Sequence, residues 1–217
     1  MSARRRPTRR ARTARPAAKA RSPRRAARPL ASKRTAKPQL EIVRGDVHAA
    51  HGLPPRPVCA AVLTLSDTRR GQADVSGARA QEMLEQAGVE VARRAWARDQ
   101  VGAIRRVARA ILALPAVDVL VVSGGTGPAP RDVAPEAFAP LLDRTLPGFG
   151  ERFRARSAEQ VGAAAWLSRA LAGVARGRLV VLLPGSPAAV ELALRELLLP
   201  ELVHAVRLLG RFDPPKE

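Results

Sequence analysis

The sequence predicts an α/β fold, a mainly parallel sheet between two layers of helices. Three observations carry that prediction. Apolar runs of strand length recur at 58–65, 117–122 and 179–183; uninterrupted by charge at most positions, they read as strands covered on both faces. Helix-length amphipathic segments separate them. Loops rich in Gly, Ser and Asp follow the strands. Strands that alternate with helices build βαβ units, and those units build a parallel sheet.

In chain order, 58–65 is a buried strand. The helix at 76–87 can be capped by Ser76 and ended by Gly88. The segment 89–98 alternates apolar and charged residues in part and reads as a more exposed strand. In the helix at 101–114, Val101, Ile104, Val107, Ala108, Ile111 and Leu112 share one face, and Arg105, Arg106 and Arg109 lie opposite. A strand at 117–122, a helix around 135–142, a helix at 148–161 and a strand at 179–183 follow. The apolar helix at 188–199 is interrupted by Pro200 and resumes to about residue 209.

Composition limits the function classes. The chain has 217 residues, 46% of them hydrophobic, enough for one domain with a real core plus additional segments. No apolar run reaches the ~18 residues of a membrane span, so a soluble protein without a membrane partner is expected. The lone Cys59 excludes an internal disulfide and a cysteine zinc cluster, and with no apolar secretory signal it points to the cytoplasm. His48, His51 and His204 are too scattered to read as a metal set.

The charge is concentrated at one end. Of 38 Lys and Arg residues, 15 fall in residues 1–37, where no acid occurs; the remainder of the chain holds 23 basic and 19 acidic residues. This Arg/Ala/Pro segment cannot bury enough apolar surface to order itself and is expected to be disordered, joined by a Pro-rich linker at 38–57. Three meanings stay open for it: a solvating tail, weak non-specific contact with nucleic acid or another anionic surface, or a removable targeting segment. Aromatics make up 3% and Tyr is absent, so nucleic-acid contact would be electrostatic rather than stacked.

Gly-Gly-Thr-Gly-Pro-Ala-Pro-Arg-Asp at 124–132 directly follows a strand. Its glycines let the backbone turn sharply and uncover N–H groups to an anion, while Arg131 and Asp132 add a cation and a carboxylate. Open α/β sheets place ligands at such strand ends. The loop points to phosphate chemistry, with Asp132 available to a divalent metal. It lacks the Gly-Lys-Ser/Thr ending of a P-loop and the glycine spacing of a dinucleotide fingerprint. Three further loops should gather at the same sheet edge: Ser66-Asp67-Thr68 continuing to Asp74-Val75-Ser76-Gly77, the loop with Asp99, and Pro184-Gly185-Ser186-Pro187. Each alone has an ordinary reading as a turn or helix cap.

The motifs together run Leu-Ser-Asp (65–67), Asp-Val-Ser-Gly (74–77), Arg-Asp-Gln (98–100), Ser-Gly-Gly-Thr-Gly-Pro (123–128), Arg-Asp-Val-Ala-Pro-Glu-Ala (131–137), Pro-Gly-Phe-Gly-Glu (147–151), Leu-Ser-Arg-Ala (167–170) and Leu-Pro-Gly-Ser-Pro (183–187). In this order they resemble the MogA/MoaB family of molybdenum cofactor biosynthesis, from about residue 58 to 210, with 211–217 left as a C-terminal tail. The resemblance implies the three-layer molybdopterin-binding fold. It implies molybdopterin adenylyltransferase activity on molybdopterin and ATP with Mg²⁺, and a homo-oligomer that is a trimer or a multiple of one.

Carried onto this sequence, the resemblance gives Asp99 and Asp132 catalytic and metal-holding roles, and gives the phosphate cradle to Gly124, Gly125, Thr126 and Gly127. Ser66, Asp67, Asp74, Ser76 and Gly77 should border the site. Ser168, Arg169, Pro184, Gly185 and Ser186 should help bind the pterin and its phosphate, and Glu136 either orients the pterin or caps its helix. Arg131 is either a phosphate clamp or a solvated neighbour of Asp132. Two positions depart from the family pattern. Ala188 stands where many members have Lys, and Ala134 where members often have Thr. A catalytically silent relative that holds pterin or nucleotide, or a scaffold with a nucleic-acid-contacting tail, is the alternative reading.

Overall fold

The computed structural model describes residues 54–69 and 71–212. The basic segment 1–37, for which disorder and three roles were expected, lies outside the described residues, as do 38–53, 70 and 213–217.

The elements in chain order are β1 (Cys59–Leu65), α1 (Val75–Gln86), β2 (Glu90–Ala97), α2 (Val101–Leu112), β3 (Val119–Ser123), α3 (Ala134–Phe138), β4 (Arg144–Leu146), α4 (Pro147–Val161), β5 (Leu171–Ala175), β6 (Arg178–Leu183), α5 (Pro187–Ala193) and α6 (Leu199–Leu208). They form one mixed sheet in the order β2-β1-β3-β6-β5-β4. β2, β1, β3 and β6 pair in parallel. β5 pairs antiparallel with both β6 and β4, so it alone opposes the others. The chain passes from β1 to β2 on one side and then crosses to β3 on the other. β1 and β3 therefore diverge in connectivity, and the crevice at their carboxyl ends is where such sheets take ligands.

Successive residues of the central strands face opposite layers. Val62, Val121 and Val181 pack with Leu84 of α1, Phe153 of α4, Val190 of α5 and Leu202 of α6. Leu63, Leu120, Val122 and Leu182 pack with Ile104 and Ile111 of α2 and Phe138 of α3. Both faces are covered, which is why these strands read as continuous apolar runs. Each side chain fully buried in this way contributes roughly 1.5–3 kcal/mol. None of the described helices is long and apolar enough to cross a membrane.

Several boundaries differ from expectation for identifiable reasons. The cap of α1 is Asp74, whose carboxylate accepts the Gly77 N–H at 2.9 Å, and not Ser76, which lies inside the helix. β4 and β5 carry little strand signal: Arg-Thr-Leu is short and exposed, and Leu-Ala-Gly-Val-Ala is rich in small residues. β5 turns into β6 through Arg176 and Gly177, at φ +51° and +70°, the left-handed pair a two-residue hairpin requires. Pro200 does not end the C-terminal helix. A π-helical turn at Leu194–Leu198 precedes it and lets α6 begin with Pro200 in its first turn, where no N–H is needed.

At the opposite edge of the sheet from the glycine loop, Asp118 is fully buried just before β3. It accepts both guanidinium nitrogens of Arg56 at 2.6 and 2.8 Å, Arg211 Nε at 3.0 Å and the Cys59 N–H at 3.0 Å. Arg56 and Arg211, on either side of the expected 58–210 domain, are thereby bound to it.

Candidate functional site

The four expected loops meet at the carboxyl ends of β1, β2, β3 and β6. They enclose a cleft of about 560 Å³, lined by Ser66, Asp67, Asp99, Gly124, Gly125, Thr126, Gly127, Arg131, Asp132, Pro184, Gly185 and Ser186, and also by Leu65, Thr68, Arg69 and Pro187. That volume suits a small-molecule ligand.

The glycine loop leaves β3 sharply because Gly124, at φ +110°, lies so close to β1 that a Cβ would collide with the Leu65 carbonyl. Its N–H is held by the Leu183 carbonyl at 2.9 Å, fastening the loop to the end of β6. The carbonyl of Gly125 accepts from Ala134 N at 2.9 Å, and that of Thr126 from Arg169 N at 2.8 Å. In planar trans peptides the following N–H points the other way. The N–H groups of Thr126 and Gly127 are so turned, and both residues line the cleft. Thr126 is 2% exposed, and its Oγ1 is buried without a hydrogen-bond partner.

Asp132 folds back under its own loop. Its Oδ2 accepts Ala129 N at 3.1 Å, and a Cβ on Gly127 would lie 2.6 Å from that oxygen. Only glycine at 127 lets the carboxylate sit there. Asp99 precedes α2 but is not its cap, a position taken by Gln100 without a side-chain bond. Its backbone N–H donates to Asp67 Oδ1 at 3.3 Å. Its Oδ1 lies against Gly125 and is buried with no hydrogen-bond partner. Burial first, then the charges of Asp67 and Asp132, push the Asp99 carboxyl above the usual carboxylate range, with Arg131 acting in the other direction. An orphaned, mutually repelled acceptor in a cleft fits a divalent cation. Among the described residues no three His, Cys, Asp or Glu gather closely enough to hold a metal ion unaided.

Other expected residues stand behind the lining rather than in it. Asp74, 2% exposed, accepts from Thr64 Oγ1 (2.8 Å), Gly77 N (2.9 Å), Arg94 (2.8 Å) and Trp96 Nε1 (3.2 Å). Ser76 donates to the Gly185 carbonyl at 2.8 Å and so positions the loop at 184–187. Ser186, itself in the lining, also caps α5 by accepting Ala189 N at 3.3 Å. Ser168 accepts Ala170 N with its hydroxyl at 3.3 Å. Arg169 donates from Nε to the Gly127 carbonyl at 3.0 Å, to the Asp132 carbonyl, and to Glu136. That pairing holds the Glu136 carboxyl below its ordinary range. Arg69 escaped sequence reasoning, although it follows Ser66-Asp67-Thr68 directly. Ser66 Oγ accepts the N–H groups of Thr68 and Arg69, at 3.3 and 2.9 Å, and turns this loop over the cleft.

Comparison with known proteins agrees with this geometry. A family described as "Probable molybdopterin binding domain" matches residues 61–204. The chain is similar to molybdenum cofactor biosynthesis protein B of Halalkalibacterium halodurans, with 41% identity over 154 residues, 70% of this chain and 91% of that protein. The Staphylococcus carnosus protein of the same name is 45% identical over 154 residues, 70% of this chain and 90% of its own length. A crystal structure of molybdenum cofactor biosynthesis protein B superposes with a TM-score of 0.70 at 39% identity, covering 73% of this chain and 99% of that one. The chain belongs to the MogA/MoaB family of molybdenum cofactor biosynthesis proteins.

Proposed function

We propose that this chain is a molybdopterin adenylyltransferase, transferring AMP from ATP to the terminal phosphate of molybdopterin. The carrying observation is the pair Asp99 and Asp132 in one cleft with the glycine loop, Asp99 keeping a buried oxygen without a partner. In the reaction a terminal phosphate oxygen of the pterin attacks the α-phosphorus of ATP. The new P–O bond forms as the α–β bridging P–O bond breaks, and pyrophosphate leaves. That phosphate is already ionised at neutral pH, so no strong general base is required, in keeping with the lack of a histidine among the described residues that line the cleft. Bound Mg²⁺, held by Asp99 and Asp132, would neutralise charge developing on the phosphates. The chain's own part is positioning and electrostatics: the N–H groups of Thr126 and Gly127 receive phosphate oxygens, and the walls at 66–69 and 184–187 orient the two substrates. A homo-oligomer, trimeric or a multiple of it, and a cytoplasmic setting belong to the same proposal.

The test is incubation of the purified full chain with molybdopterin, ATP and Mg²⁺, followed by detection of adenylylated product. Asp132→Asn should abolish product while the protein stays folded; normal turnover by that variant would sink the assigned role. A binding-only relative is the second reading, favoured by the wall from Pro184 to the exposed Ala188, which carries no cation. Binding of both substrates without product would select it.

A further inference from the structure

We infer that Arg69 is the phosphate-binding cation of this cleft, acting beside the uncharged wall at 184–187; the inference rests on reading the cleft as a phosphate-handling site. Two cations line the cleft, Arg69 and Arg131, against Asp67, Asp99 and Asp132. Arg131 adjoins Asp132, and its charge partly offsets the repulsion on Asp99. Arg69 stands elsewhere. Its backbone is pinned by the bond from its N–H to Ser66 Oγ at 2.9 Å. One guanidinium nitrogen lies 3.9 Å from the place a Cβ on Gly185 would take, and that same place is 3.3 Å from the Gly124 Cα. The guanidinium thus sits near the seam where the loops after β3 and β6 meet, with glycine on both sides leaving room for a ligand.

Among the described residues the Arg69 side chain makes no ion pair. The reason is local. The buried carboxylate nearest in the fold is Asp74, which lines the same small pit as Arg69, Ser76 and Gly185. Asp74 is already saturated by four donors, among them Arg94 at 2.8 Å. An arginine with a fixed backbone, its fork unspent, facing a polar cleft is suited to grip two oxygens of one phosphate. The chemistry is that of a phosphate monoester or a polyphosphate, and the pterin's terminal phosphate and the ATP chain both offer it.

The experiment measures ATP–Mg²⁺ affinity by calorimetry and the KM for molybdopterin, using full-length wild type, Arg69→Ala, Ala188→Lys and the double variant. Arg69→Ala should weaken one of the two about ten-fold or more, as loss of a charge-assisted pair does, with no change in melting temperature. The substrate affected identifies which phosphate Arg69 holds. Ala188 is exposed and directly follows the lining residue Pro187, so a lysine there should restore part of the loss in the double variant. Unchanged affinities in Arg69→Ala, a several-degree fall in melting temperature, or a loss that Ala188→Lys leaves untouched would each overturn the inference. If wild type yields no adenylylated product yet ATP affinity still depends on Arg69, adenylyl transfer fails and the role of Arg69 stands.

Discussion

Arg169 donates its backbone N–H to the Thr126 carbonyl at 2.8 Å, while its side chain reaches the Gly127 and Asp132 carbonyls of the same loop. One residue thus spans the loop from the Thr126 carbonyl to the backbone of Asp132. The resemblance placed Arg169 on the pterin; in the folded chain its guanidinium also donates to two protein carbonyls and to Glu136. Lysine cannot reproduce a planar fork across two carbonyls. Arg169→Lys should therefore lower kcat more than ten-fold with a smaller change in KM, and amide exchange at 126–133 should accelerate. Equal loss of affinity and turnover, with exchange unchanged, would put Arg169 on the substrate instead.

Asp99 makes a stability prediction opposite in sign to its catalytic one. Burial, Asp67 and Asp132 raise its folded pKa above the usual value. The folded state then holds the proton more tightly than the unfolded state, so ionisation on raising the pH through that window costs stability. Asp99→Asn removes the penalty. The variant should melt slightly above wild type at pH 7, the two curves should converge below about pH 4, and product should vanish. Melting curves of both proteins from pH 4 to 8 check this; a variant that melts lower at pH 7 refutes it.

The sequence made the sheet centre and the rim of the cleft legible for one reason. Strands covered on both faces are uninterrupted apolar runs, and the residues that follow them fall at one edge. Asp67 and the glycine loop with Asp132 were recognisable because they follow such runs, whereas Asp99 follows β2, a half-exposed strand that mixes apolar and charged residues. The supporting roles of Ser76 and Arg169 were not recognisable, because their partners are distant in sequence: Ser76 meets Gly185 across 109 residues, and Arg169 meets Gly127 across 42. β5 was lost for a local reason, since Ala172, Gly173 and Ala175 lack the branched side chains that mark a strand, and its turn uses Arg176 where Asn or Gly is usual.

Asp74 shows how a motif residue can act from behind the cleft. Its carboxylate caps α1 and joins Thr64 of β1 to Arg94 and Trp96 of β2. Asp74→Ala would leave four donors without their acceptor, one of them charged, in a buried site. The expected cost is about 3–5 kcal/mol in chemical denaturation, the range for removing one partner of a buried pair. Asp74→Asn keeps an oxygen for the Gly77 N–H and should cost less. Equal stability of Asp74→Ala and wild type would show the network to be incidental.

Asp118 supplies the acid limit of the fold. Burial acts to raise its pKa, but the hydrogen bonds from Arg56, the Cys59 N–H and Arg211 together hold it below the usual carboxylate value. A depressed folded pKa gives stability that is fully present above the unfolded value, near pH 4, and is lost as the pH falls through the folded value. The gap in denaturation free energy between wild type and Asp118→Asn should therefore be constant above about pH 5 and close as the pH falls below about 4. Truncation after Gly210 removes Arg211, one of the three donors, together with the Phe212 ring that lies 5.4 Å from the Arg56 guanidinium. The shortened chain should lose stability at pH 7 and show a smaller acid-dependent change than the full chain. If truncation leaves both unchanged, Arg56 and the Cys59 N–H alone suffice to keep Asp118 ionised.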